Sequence, residues 1–190
     1  MTAESANHKE FERLAVPLFD ALYNFARWLA HDQSEAEDLV QETYAKALRG
    51  FASFEPGTDF RAWMFRIVRN TFLTSRTGLR AKLTVPLEPE DEESAAVNWE
   101  TPEKLALASA TREALQAALE RLPVAYREVI LLCDVEEMKY QEIAEVLSVP
   151  IGTVMSRIAR GRKLLREMLV DERGERPGSR ATTRGKLDQA

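Results

Sequence analysis

Three stretches of this 190-residue chain carry side chains whose types and spacing suit recognition of a polyanion or a charged partner. The first runs from Tyr140 to Arg160. Ile143, Ala144 and Leu147 share one side of a short predicted helix, a tight turn follows, and Val154 and Ile158 pin a second helix, the pattern of a helix-turn-helix. Ala144 is small enough to let the two helices approach. Rotated at about 100° per residue, Ser156, Ala159, Arg160 and Lys163 fall opposite the apolar sector, the side from which a helix reaches base edges in a major groove. Arg157 and Arg162 flank that face and suit phosphates. A plain helical hairpin would account for the apolar stripe. It would not account for a run, 151–166, that holds Arg157, Arg160, Arg162, Lys163 and Arg166 and no acid.

The second stretch, Phe60 to Phe72, interleaves aromatics with Arg61, Arg66 and Arg69 and follows Phe51 and Phe54. Rings and guanidinium planes stack on any unstacked base while the charges hold its backbone. The same rings also suit a core: Phe60 and Phe72 are read as core, and Trp63 fits either role. In the third stretch Asp38, Gln41 and Glu42 lie on the polar side of a helix whose other side is apolar. That stripe suits either an acidic docking face or plain solvation. No catalytic set emerges. His8 lies near the start of the chain and His31 at a predicted helix end, and there is no HExxH, Gly-rich phosphate loop or nucleophile motif. No catalytic residue, metal site, cofactor or small-molecule substrate is expected, and Cys133, the single cysteine, is assigned to core packing.

Helical periodicity dominates the elements that must position these residues, and no stretch alternates long enough to suggest a sheet. The expected fold is all-α: two small helical domains joined by an acidic flexible linker, the second ending in the helix-turn-helix. The spacing predicts helices over 11–30, 34–50 and 60–75. Ser34 and Glu37 form a capping box for the second, and Asp59 or Thr58 caps the third. Further helices are predicted over 102–121, 123–134, 140–147 and 151–170. Pro86, Pro89 and Pro102 surround the acidic run 90–93, which sets domain boundaries at 1–83, linker 84–102, 103–170 and a disordered tail 171–190.

The net charge of -5 hides strong local fields. Residues 32–42 hold Asp32, Glu35, Glu37, Asp38 and Glu42 with no base, whereas 60–82 hold six bases and no acid. Two basic stretches within an acidic protein are the footprint of specific polyanion sites. The longest apolar run, Val129 to Cys133, is far short of the roughly 20 residues that span a bilayer, and the first ten residues lack a signal pattern. A cytoplasmic protein without direct membrane insertion is expected.

The run from Glu35 through Asp38, Gln41, Glu42 and Lys46, the run from Phe60 through Trp63, Arg66 and Asn70, and the helix-turn-helix containing Gly152-Thr153-Val154-Met155-Ser156-Arg157 together resemble the extracytoplasmic-function class of bacterial sigma factors. The likeness covers roughly 11–80 and 103–168 in matching order. It implies a promoter-recognition subunit that binds core RNA polymerase and is not itself an enzyme. By this resemblance Asp38, Gln41 and Glu42 dock on the clamp coiled coil of the largest polymerase subunit. Phe54, Trp63, Arg66, Arg69 and Asn70 serve the minus-ten element, whose flipped non-template base enters a pocket formed by the loop 54–59 and Asn70. Tyr140, Thr153, Met155 and Ser156, together with Arg157, Ala159, Arg160 and Lys163, serve promoter DNA at the minus-thirty-five element. The acidic linker would thread the polymerase RNA channel, and an anti-sigma factor is an expected partner. Family members often carry Arg or Lys where this chain has Met155, which leaves one contact missing or replaced by an apolar one.

Two other readings fit the residues. A two-domain helix-turn-helix regulator would bind duplex DNA without polymerase, and an interaction module would bind protein with both halves. Weak duplex binding by the chain alone, with strong salt-sensitive binding as holoenzyme, distinguishes the sigma reading from both.

Overall fold

The computed structural model describes residues 3–80 and 112–172, all of whose regular elements are helices or helical turns. The predicted linker 84–102, the start of the helix predicted at 102 and the tail from 173 lie outside the described residues. Among the described residues no helix is long and apolar enough to cross a membrane.

The first bundle contains α1 (Ala3–Ala15), α2 (Phe19–Ala30), α3 (Gln33–Gly50) and α4 (Phe60–Arg80). The helix predicted over 11–30 is interrupted by a tighter turn at Val16–Leu18. Pro17 supplies the reason: it has no N–H to donate and its ring clashes with the preceding turn. α2 ends at His31, which takes a left-handed conformation (φ 64°) and returns its N–H to the Arg27 carbonyl. α3 starts one residue before the predicted Ser34. Asp32 is extended and its carboxylate accepts from the Glu35 N–H at 2.9 Å, so Asp32 rather than Ser34 is the cap. Asp59 caps α4 as expected, through the Ala62 N–H at 3.1 Å, and α4 runs five residues past its predicted end.

Leu22, Phe25 and Leu29 of α2 meet Leu39 and Val40 of α3 and Met64, Phe65 and Val68 of α4 in the core. Each such side chain contributes about 1.5–3 kcal/mol when fully buried. Phe25 and Phe65 pack edge to face with centroids 5.2 Å apart. Thr43 is wholly buried and stays satisfied by donating to the Leu39 carbonyl at 2.7 Å.

The second bundle contains α5 (Arg112–Arg121), α6 (Val124–Ile130, extended by a wider turn at Leu131–Val135), α7 (Tyr140–Leu147) and α8 (Ile151–Glu172). Ser148 leaves α7 in the left-handed conformation, and Val149-Pro150 leads straight into α8. Ile143, Ala144 and Leu147 pack inward with Val154 and Ile158, so the predicted helix-turn-helix is present. A Cβ on Gly161 would lie 3.2 Å from both Tyr126 Cβ and Ile130 Cγ1. Glycine there lets α8 cross close over α6. The two bundles also meet, chiefly where α7 lies against α4.

Candidate nucleic-acid interface

The outer face of α8 follows from its inner one. Val154, Ile158, Gly161, Leu165 and Leu169 are buried, which turns the intervening positions outward. Met155, Ser156 and Lys163 are exposed, whereas Thr153, Ala159, Arg160 and Tyr140 are half-buried. The Ser156 hydroxyl donates to the Thr153 carbonyl at 3.1 Å. Two arginines read as phosphate contacts are turned into the protein instead. Arg157 lies 3.7 Å from the Glu128 carboxylate and Arg162 grips Asp134 with Nε at 3.1 Å and with Nη2. Arg162 Nη2 also reaches Cys133 Sγ at 3.7 Å. Burial of the half-buried Cys133 pushes its thiol up to about 11, with Asp134 adding to the effect and Arg162 opposing it, which favours the protonated thiol at neutral pH.

The second stretch builds a cavity of about 290 Å³. Phe54, Trp63 and Arg66 line it together with Asp59, while Glu145 and Val146 of α7 form the opposite wall. Phe54 is held by neighbouring rings, stacked on Phe51 with centroids 6.0 Å apart and edge-on to Phe60 at 5.2 Å. Trp63 lies 5.3 Å from Phe54. Asn70 is exposed on the side of α4 that carries Trp63 and Arg66, but it is not part of the cavity lining. The loop residues and the start of α4 therefore come together, with Asn70 further along the same face.

Arg69 is placed elsewhere. Its Nε and Nη2 donate to the Glu128 carboxylate at 2.8 and 3.2 Å, and Nη1 to the Leu147 carbonyl at 3.3 Å. Glu128 is only 3% exposed, so this ion pair is desolvated and its net contribution is small, but removing one partner strands the other. Arg61 likewise donates to the carbonyl and the carboxylate of Glu136, both at 2.7 Å. Sequence reasoning placed these arginines with the basic stripe and missed their partners. Glu128 beside the apolar run that begins at Val129 was the available signal, since a carboxylate in such a place requires a cation.

Arg127 was also missed. It is 3% exposed and spends five N–H groups on five acceptors: the carbonyls of Leu119, Glu120, Leu122 and Trp28 and the His31 ring. It thereby covers the carbonyl ends of α5 and of α2 from one buried point, where the helix dipoles favour a cation. His31 must be neutral to accept from Arg127. Partial desolvation, followed by the charge of Arg127, holds its pKa below the ordinary 6.5, with Arg76 acting the same way and Glu120 and Glu35 opposing. The folded state then binds fewer protons than the unfolded one, so stability is complete near neutrality and falls as pH drops below 6.5. The packing of the two bundles is expected to loosen over that range. Urea titrations at neutral and mildly acidic pH check this, and His31→Gln, an acceptor that does not titrate, is expected to flatten the difference.

On α3, Asp38, Gln41 and Glu42 are all exposed on one face, with Lys46 bridging to Glu42 at 2.8 Å. Among the described residues no group of His, Cys, Asp or Glu is arranged to hold a metal ion.

Comparison with known proteins gives a consistent result. Residues 17–81 match the family described as Sigma-70 region 2, and residues 112–165 the family described as Sigma-70, region 4. The chain is 36% identical over 174 residues to the ECF RNA polymerase sigma factor SigE of Mycolicibacterium smegmatis, covering 92% of this chain and 67% of that protein. It is 33% identical over 170 residues to the ECF RNA polymerase sigma factor EcfG of Rhodopseudomonas palustris, covering 90% and 89%. Among solved structures it is similar to the sigma factor RpoE in complex with the anti-sigma factor NepR from Bartonella quintana. That likeness has a TM-score of 0.65 and 32% identity, over 85% of this chain and 97% of that one. A second likeness, to CnrH in complex with the cytosolic domain of CnrY, has a TM-score of 0.64 and 27% identity, over 90% and 94%.

Proposed function

Because this chain belongs to the extracytoplasmic-function class of sigma factors, which bind core RNA polymerase and direct promoter-specific initiation, we propose that its two bundles divide the promoter between them. The second bundle, within 103–170, reads the minus-thirty-five element with the outer face of α8. Ser156, Ala159, Arg160 and Lys163 lie towards base edges and Tyr140 towards the backbone. The first bundle, within 1–83, opens the minus-ten element and takes a non-template base beside Phe54, Trp63, Arg66 and Asn70. Asp38, Gln41 and Glu42 dock on the polymerase clamp. The chain performs no catalysis of its own and works in the cytoplasm, where polymerase and promoter DNA are.

The observation that carries this reading is the outer face of α8, free of acids from 151 to 166 and presented by a formed helix-turn-helix. A second observation bears on control. The two elements are named for positions about 25 base pairs apart, roughly 80 Å along B-form DNA, whereas the two bundles touch each other here. Glu145 and Val146 also wall the base cavity, and Arg69 is taken up by Glu128. We read the arrangement as a closed form that must open for both elements to be engaged, with 84–102 as the connector that permits it. The similar sigma factor RpoE was solved in complex with the anti-sigma factor NepR, and CnrH with the cytosolic domain of CnrY; the first supports an anti-sigma factor as a partner of this chain, which would act by favouring the closed form.

Runoff transcription with bacterial core polymerase on a promoter library tests the proposal. Transcripts from discrete sites that require the chain are expected. Absence of initiation, together with failure to co-purify with core polymerase, would instead favour a regulator that binds DNA on its own.

A further inference from the structure

The recognition helix begins with an anomaly. Ile151 and Met155 are each 45% exposed, which puts both among the large apolar side chains left open on this protein. They are four residues apart on α8, and Ala159 follows at the same interval, so the three form an apolar ridge along one flank of the outer face. Ser156, Arg160 and Lys163 lie beside it. Two exposed side chains are far too little for a protein partner, which needs about 800 Å² from each side. They are the right size for a methyl group.

In the major groove thymine alone among the four bases presents a methyl, at C5, next to its O4 acceptor. A thioether is a weak acceptor and no donor, so Met155 cannot donate to the N7 and O6 acceptors of guanine or bind a phosphate as Arg or Lys would. It can bury a methyl, and its flexible polarizable side chain adapts to where that methyl lies. We infer that Ile151 and Met155 form an apolar reader for thymine methyl groups in the minus-thirty-five element. The ridge thus makes thymine, not guanine, the preferred base at that position. Met155 meets the methyl, and Ile151, one turn nearer the start of the helix, covers the neighbouring step. This rests on the proposed role of α8 at that element.

The test uses holoenzyme assembled from the full chain and core polymerase, on promoter duplexes in which each thymine of the upstream element is replaced in turn by deoxyuridine. That replacement removes the methyl and nothing else. At one position or two adjacent ones, binding is expected to weaken about fourfold, the worth of one buried methyl-sized group. Met155→Ala holoenzyme is expected to bind thymine DNA more weakly and to be indifferent to the same replacement. Indifference of the unsubstituted holoenzyme at every position overturns the inference, as does full sensitivity in the Ile151→Ala, Met155→Ala double variant. Either result leaves the division of the promoter intact provided binding still depends on the upstream sequence. Loss of any preference for promoter over random duplex would remove both.

Discussion

Replacing Arg127 by methionine is expected to destabilise the protein by about 3–5 kcal/mol, although the new side chain fills much of the same space. The effect comes from what the guanidinium leaves behind. The carbonyls of Leu119 and Glu120 lie in the last turn of α5 and that of Leu122 just past it, that of Trp28 lies in the last turn of α2, and all four accept from Arg127 at 2.7 to 3.1 Å. Helix-end carbonyls have no partner within their own helix, and a thioether offers them none. Water that enters to replace the guanidinium recovers part of the loss and separates the bundles in doing so. Arg127→Lys is expected to rescue only partly, because an ammonium keeps the charge but has three donors on a single point where the guanidinium spreads five in a plane. Burial already pulls the Arg127 guanidinium below its ordinary value, with Glu120 opposing, so the site has little to spare for a more easily neutralised cation. Urea unfolding followed by circular dichroism gives the magnitude, and small-angle scattering reports the separation. A methionine variant within 1 kcal/mol of the parent would show that these carbonyls are satisfied some other way.

The second large effect is expected at the acidic stripe of α3. If the stripe docks on polymerase as proposed, its partner surface is basic by charge complementarity, and Asp38→Arg combined with Glu42→Arg should weaken binding to core polymerase about a hundredfold or more, since like charges set against each other cost several kcal/mol. Stability should barely change. Both side chains are exposed, and the Glu42–Lys46 pair that would be lost is a surface contact of small worth. Competition for core polymerase against a second sigma factor measures the first quantity, and thermal unfolding the second. Undiminished core binding would make the stripe a solvated helix face. A large fall in thermal stability would make it structural.

Local patterns carried most of the architecture. The 3.6-residue period marked the helices, and Asp59 capped α4 where its type and place indicated. Boundaries slipped where two local rules competed. Ser34 and Glu37 fit a capping box, but Asp32, which is extended, reached the Glu35 N–H first. Pro17 sat inside an apolar pattern regular enough to read as one helix, and the ring broke it all the same.

By itself the sequence determined the faces: an apolar stripe behind an acid-free α8, rings gathered around Trp63, and acids along one side of α3. Periodicity and charge sign are properties of residues three or four apart, and they survive any packing of the helices. Only the tertiary structure decided which charges remain for a partner. Arg66 and Arg69 look alike in the chain, yet Arg66 is exposed beside a cavity while Arg69 is held by a carboxylate 59 residues away. Arg157 and Arg162, on the recognition helix itself, are drawn back to Glu128 and Asp134. A buried carboxylate requires a cation wherever the fold can bring one, and that pairing depends on how α4, α6 and α8 converge, which no window along the chain contains.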